Sequence, residues 1–168
     1  MANPLYGQNK ADSDIAIYGR GKMNIITTTA AHTLSADDSG SLIFANVAAA
    51  ELTLPSAAAG LHFYYMVGID ATAGSTIVAA SGDCFFGQVT VISTTDDKTA
   101  VQDIDHATAI ATVADYDNFD LVSNSATLGG TSGDVIHLIA VDSTAWLCST
   151  TLTSVNSNPG SIAVINAG

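Results

Sequence analysis

From Met23 onward, short runs of alternating apolar and polar residues are broken by turn formers: MNIITTT, HTL, SLIFANV, ELTL, LHFYYMVGI, STIVAA, QVTVIST, TAIATV, FDLVS, VIHLIAV and TAWLCST. A period of two, bounded by Gly, Pro, Asn, Asp and Ser, is the signature of strands with one face on a core. About ten such strands in one body predict an all-β domain, a β-sandwich or a barrel-like, jelly-roll-like fold. The strongest local signal is VIHLIAVDSTAWLCST, a hairpin turning at Asp142-Ser143. In its first strand Ile136, Leu138 and Ala140 point one way and Val135, His137, Ile139 and Val141 the other. Both sets are apolar enough that the strand is either buried on both faces or presents one to a neighbour.

NVAAAE and DIDHATAIATVAD are ambiguous, because alanine has the best helix propensity; at most one short helix is expected, in the second. No fixed-period repeat emerges, which argues against a solenoid or propeller. Residues 1–22, MANPLYGQNKADSDIAIYGRGK, lack periodicity and read as an extended N-terminal arm, with 23–168 as the body. Leu5, Tyr6, Ile15, Ile17 and Tyr18 are costly to leave in water, so the arm is expected to lie on a partner. After the Pro159-Gly160 break, an apolar C-terminal strand over 161–165 is expected to pack across a subunit interface through Ile162, Val164 and Ile165. Lys98 is the only lysine beyond residue 22, so the sheet edges look guarded by assembly rather than by charge.

Composition sharpens this picture. Glu, Lys, Gln and Arg together number 8 of 168, too few to coat a helical bundle, whereas Ser and Thr are abundant. The net charge of −12 is uneven: Lys10, Arg20 and Lys22 against Asp12 and Asp14 give the arm +1 and leave the body −13. An acidic body repels phosphate, so neither nucleic acid nor an anionic membrane is expected as a partner. No run approaches the roughly 18 apolar residues of a membrane span, and Met1-Ala-Asn-Pro lacks the character of a signal peptide, which predicts folding in a cytoplasm. In that compartment Cys84 and Cys148 are expected to stay reduced as small buried side chains.

Candidate chemistry is sparse. Asp115, Asp117 and Asp120 open like a calcium loop, but Phe119, Asp120 and Ala126 stand where an oxygen ligand, Gly and Glu are needed. His32, His62, His106 and His137 do not fall at zinc-ligand spacings. Asp103, Asp105 and His106 could form an acid–base pair, yet no activated nucleophile accompanies them. Gly19-Arg20-Gly21-Lys22 is too short for a phosphate-binding loop. The aromatics Phe63, Tyr64, Tyr65, Phe85, Phe86 and Trp146 lie in strand-like alternations, where core packing is the default over a sugar platform. No enzymatic activity, metal or cofactor is expected.

The stretch ELTLPSAAAGLHFYYMVG, 51–68, bends at Pro-Ser-Ala-Ala-Ala-Gly, a centre with no reactive group, which reads as a packing device. Its longer context, LSADDSGSLIFANVAAAELTLPSAAAGLHFYYMVG, resembles a pattern of small virion proteins of tailed bacteriophages. The closing GDVIHLIAVDSTAWLCST is similar to the usual end of that pattern, and MANPLYGQNKAD resembles the start of phage capsid decoration (cement) proteins. These patches cover about half the chain; the segment 95–130 is outside the resemblance. The resemblance implies a homo-oligomer, a trimer, seated on the outer capsid surface at capsomer junctions. Its arm would meet the major capsid protein through Leu5, Tyr6, Ile15, Ile17 and Tyr18, with Lys10, Arg20 and Lys22 against acidic side chains. A head-fibre, tail-fibre or baseplate component, or a carbohydrate-binding β module, are the alternatives.

Overall fold

The computed structural model describes residues 23–95, 98–125, 128–155 and 164–167. In chain order the strands are β1 (Ile25–Thr28), β2 (His32–Thr33), β3 (Leu42–Ala45), β4 (Glu51–Thr53), β5 (His62–Val67), β6 (Ser75–Val78), β7 (Cys84–Ser93), β8 (Thr99–Ile104), β9 (Asn118–Leu121), β10 (Val135–Ala140), β11 (Ala145–Ser154) and β12 (Ile165–Asn166). A single α-helix, α1 (His106–Ala111), and two 3-10 turns complete the described elements. The strands form a seven-stranded sheet, β1-β3-β5-β10-β11-β7-β8, and a five-stranded sheet, β12-β9-β6-β4-β2. The result is an all-β sandwich. It does not close into a barrel, and the antiparallel order of a jelly roll is absent, because five of the ten strand pairings are parallel.

Four of the five parallel pairs arise from the route of the chain from β1 to β7; the fifth sets β11 beside β7. Strands β1, β3, β5 and β7 lie in one sheet and β2, β4 and β6 in the other, so the backbone crosses between sheets six times. Successive passes lie side by side: Ile25 beside Leu42 beside Tyr64, and His32 beside Leu52 beside Ile77. The spacings are unequal, 17 then 22 residues in one sheet (25 to 42, 42 to 64) and 20 then 25 in the other (32 to 52, 52 to 77). This explains why no fixed-period repeat is visible in a chain that nonetheless coils.

Between the sheets, inward side chains of both interdigitate: Ile43, Phe63, Tyr65 and Trp146 from one, Leu52, Ile77 and Phe119 from the other, all essentially inaccessible. The Phe85 and Phe119 rings meet edge-on across the gap at 6.2 Å between centroids. Cys84 and Cys148 are free thiols in this core, and burial pushes the Cys84 thiol up to about 11. Glycine is required where β7 meets β11: at Gly87 the backbone has φ +122° and a Cβ would run into the Cys148 carbonyl oxygen.

The hairpin forms at its expected place with a three-residue loop, 142–144, in which Asp142 accepts the Thr144 N–H at 2.7 Å. TAIATV is not a strand: its start belongs to α1, which Asp105 caps by accepting the Thr108 N–H at 2.8 Å. Conversely Thr99–Ile104 is a strand that the pattern does not announce, because its inward positions are the modest Ala100, Gln102 and Ile104. The bend after ELTL carries the chain from one sheet to the other. Leu54 and Ala57 are buried, the Ala57 N–H donates to Asp83 at 2.7 Å, and Gly60 turns at φ +96° into β5.

The expectation for the C-terminal strand needs correction. β12 pairs with β9 of its own chain, Ile165 opposite Phe119, and Val164 and Ile165 are buried in the chain's own core. Both hydrogen-bonding groups of Ile165 are also gripped by the Gln102 amide: its N–H donates to Oε1 at 3.0 Å and its carbonyl accepts from Nε2 at 2.8 Å. Gln102 thus ties an edge of one sheet to an edge of the other. Val164 and Ile165 are thus buried within a single chain; Ile162 lies outside the described residues. Ile165→Ala is expected to cost about 3 kcal/mol by creating a cavity in the core. Gln102→Ala is expected to cost about 1–2 kcal/mol. Urea unfolding measures both, and an Ile165→Ala protein as stable as wild type would contradict this seating.

Candidate interaction surface

The sandwich has two outer faces made by the same alternation, and their chemistry is opposite. On the five-stranded sheet the outward positions are Thr33, Glu51, Thr53, Thr76, Val78, Asn118, Asp120 and Asn166, polar but for the half-buried Val78. Three of them are joined by hydrogen bonds: Thr76 Oγ1 donates to one oxygen of Asp120 at 2.9 Å and Asn166 Nδ2 donates to its other oxygen at 2.9 Å. That is an ordinary solvated face.

On the seven-stranded sheet the outward positions of the first four strands in spatial order are Ile25 and Thr27, Leu42 and Phe44, His62, Tyr64 and Met66, then Val135, His137 and Ile139. On the next strands the same side carries Leu147, Ser149, Thr151 and Thr153 of β11 and Phe86, Gln88, Thr90 and Ile92 of β7, so the face becomes mixed there. Ile25, Val135, Ile92 and Val101 are exposed, and each is an outward residue of this sheet; among the described residues, no exposed large hydrophobic lies in the five-stranded sheet. Phe44 lies against Gly68, where a Cβ would overlap its ring. Only at β8 does an acid, Asp103, join the face.

At the centre stand His62, Tyr64 and His137. The Tyr64 and His137 rings are stacked, 4.3 Å between centroids and 9° between planes, and His62 stands edge-on to both at 6.4 and 6.3 Å. The stack follows from register, since Tyr64 and His137 are cross-strand partners, as are His62 and Ile139. His137 Nε2 is shielded from solvent without a hydrogen-bond partner. Burial, and then the nearby His62, hold the His137 imidazole below its usual range. The opposed strand β11 offers only Ser149 to His137.

The other candidates do not assemble into reactive sites. Asp105 is occupied as a helix cap, Asp103 lies on the outer face of β8, and His106 Nε2 reaches Asp142 at 2.9 Å while its ring stands edge-on to Phe86. The three neighbours in sequence thus point to three tasks. Asp120 is held by Thr76 and Asn166, and among the described residues no three His, Cys, Asp or Glu side chains are grouped so as to hold a metal ion. Trp146, Phe63, Phe85 and Tyr65 are core residues, whereas Tyr64 and Phe86 belong to the outer face. The arm residues Leu5, Tyr6, Lys10, Ile15, Ile17, Tyr18, Arg20 and Lys22 lie outside the described residues. No described helix is long and apolar enough to cross a membrane.

The apolar outer face was legible only in part. The two-sided apolar pattern of VIHLIAV signals it; LIFA and HFYYMV carry the same signal, which a search for a single core face passes over. Comparison with protein-family models and with curated proteins finds no match to this chain.

Because the folded chain resists protonating His137, the unfolded chain binds that proton more readily, and stability is lost as pH falls through the histidine range. The charged or titratable groups facing the ring are His62 and Tyr64. His137→Gln is expected to flatten the fall in urea midpoint between about pH 7.5 and 5.5. An identical fall in wild type and variant would exclude His137 as its source.

Proposed function

We propose that this chain is a virion structural protein, a capsid decoration or cement protein that binds the outer capsid shell at capsomer junctions and stabilises it. The observation that carries the reading is the asymmetry of the two outer faces. A sandwich with one hydrated face and one apolar face is suited to being built into an assembly, and it offers no grouped reactive side chains among the described residues. The resemblance of 34–68, 133–150 and 1–12 to phage virion proteins supports the same reading.

In this reading the protein works as a homo-oligomer, a trimer, with the major capsid protein as its partner and without nucleic acid or membrane. Residues 1–22 supply the attachment, Leu5, Tyr6, Ile15, Ile17 and Tyr18 by apolar burial and Lys10, Arg20 and Lys22 by charge. The arm's +1 against the body's −13 favours this division, since the arm holds all but one of the basic residues. The acidic body faces outward and keeps particles mutually repulsive. An arm crossing a junction adds area where internal pressure pulls capsomers apart.

The test is binding of the full-length protein and a 23–168 truncation to undecorated capsids, counting copies per shell and recording the temperature of DNA release. Many copies per shell, a higher release temperature and loss of both on truncation are expected. A few copies at one vertex would make it a fibre or baseplate component, and no binding would refute the capsid role.

A further inference from the structure

We infer that the outer face of the seven-stranded sheet, centred on the His62–Tyr64–His137 stack, is the surface through which copies of this chain associate. The inference assigns a surface to the self-association proposed above and rests on that part of the reading.

Size is the first argument. The four strands β1, β3, β5 and β10 at about 4.8 Å spacing and roughly 17 Å of strand length give about 330 Å² in projection, and the mixed strands β11, β7 and β8 extend it to roughly 570 Å². Side-chain relief raises the accessible area toward the about 800 Å² per partner of a stable interface. A monomer's largest apolar patch is ordinarily about 300–600 Å². Such a face needs a cover from the moment of folding, and the partner always present at synthesis is another copy.

Charge is the second argument. A body of net charge −13 repels its own copies wherever carboxylates would be brought together. The strands β1, β3, β5 and β10 present no Asp, Glu, Lys or Arg at their outward positions, so copies can meet there without burying an ion. A face rich in Val, Ile, Leu, Met and aromatic side chains is also the composition of permanent homo-oligomer interfaces rather than of transient ones. The stacked Tyr64 and His137 rings are held in place by cross-strand register before any partner arrives.

The experiment measures the mass of the full-length protein by light scattering and sedimentation, for wild type, Val135→Glu, Ile139→Glu and, as a control on the opposite face, Thr53→Glu. Wild type is expected to be oligomeric, and each outer-face variant to weaken association by about 100-fold through burial of an unpaired carboxylate, with native circular dichroism. Thr53→Glu is expected to leave the mass unchanged. A monomeric wild type would overturn the inference and point to the arm or the shell as the cover. So would outer-face variants that assemble as tightly as wild type.

Should Ile139→Glu misfold, Val135→Cys provides a second route, because Cys84 and Cys148 are buried and the introduced thiol is the accessible one. Spin labels at 135 are expected to couple between copies; absence of coupling in the oligomer overturns the inference. Capsid binding is scored separately. A protein that assembles through this face yet ignores capsids would refute the cement reading and leave this one standing.

Discussion

Each crossing between the sheets must leave no buried amide without an acceptor, and this constraint shapes the rest of the molecule. Coiling between two sheets takes the backbone through segments that belong to neither ladder. Short polar side chains meet the demand locally: Ser75 Oγ accepts the Ala50 N–H, Asp83 the Ala57 N–H and Ser39 Oγ the His62 N–H. Asp134 does most, accepting the N–H groups of Gly130, Thr131 and Thr153 and the Thr153 hydroxyl, which anchors the approach to β10 onto β11. The wealth of Ser, Thr and Asp follows from the route of the chain as much as from its surface.

Strand identity was legible wherever alternation carried large inward side chains. Ile43, Phe63, Ile136 and Leu138 announce their strands because an apolar residue at every second position has no other economical arrangement. Sheet membership was not legible, since period two gives which side chains share a face but not which strand lies alongside. The coil escaped notice for the same reason: unequal passes leave no repeat. Gln102 shows a further limit. An inward glutamine reads as a break in a strand, yet here it binds both hydrogen-bonding groups of Ile165 and closes one edge of the sandwich.

The two outer faces differ although the same residue types were available to both. The five-stranded sheet spends its outward positions on Thr, Asn, Asp and Glu with a single Val78, and its end strands β2 and β12 are two residues each, too short to recruit a neighbour. The seven-stranded sheet has longer strands and apolar residues on both sides of its middle. A strand apolar on both sides gains nothing for the monomer over one with a wetted face; its second apolar side stabilises only when something covers it. In the proposed assembly the outer face of one sheet is covered and that of the other stays in water.

The acidity of the chain is consistent with this division. Asp38, Asp70, Asp83, Asp105, Asp134 and Asp142 each accept at least one backbone N–H at 2.7–3.2 Å, and for Asp38, Asp105 and Asp142 those bonds hold the carboxyl below its usual range. An ionised carboxylate is the strongest acceptor available to a loop amide, so a fold rich in crossings and tight turns gathers aspartates without needing cations to balance them. Their sum then acts at longer range than any one of them. It opposes contact between copies over most of the surface, and least at the proposed contact on β1, β3, β5 and β10, whose outward positions carry no Asp, Glu, Lys or Arg. Local satisfaction of amides thereby restricts where the molecule can assemble.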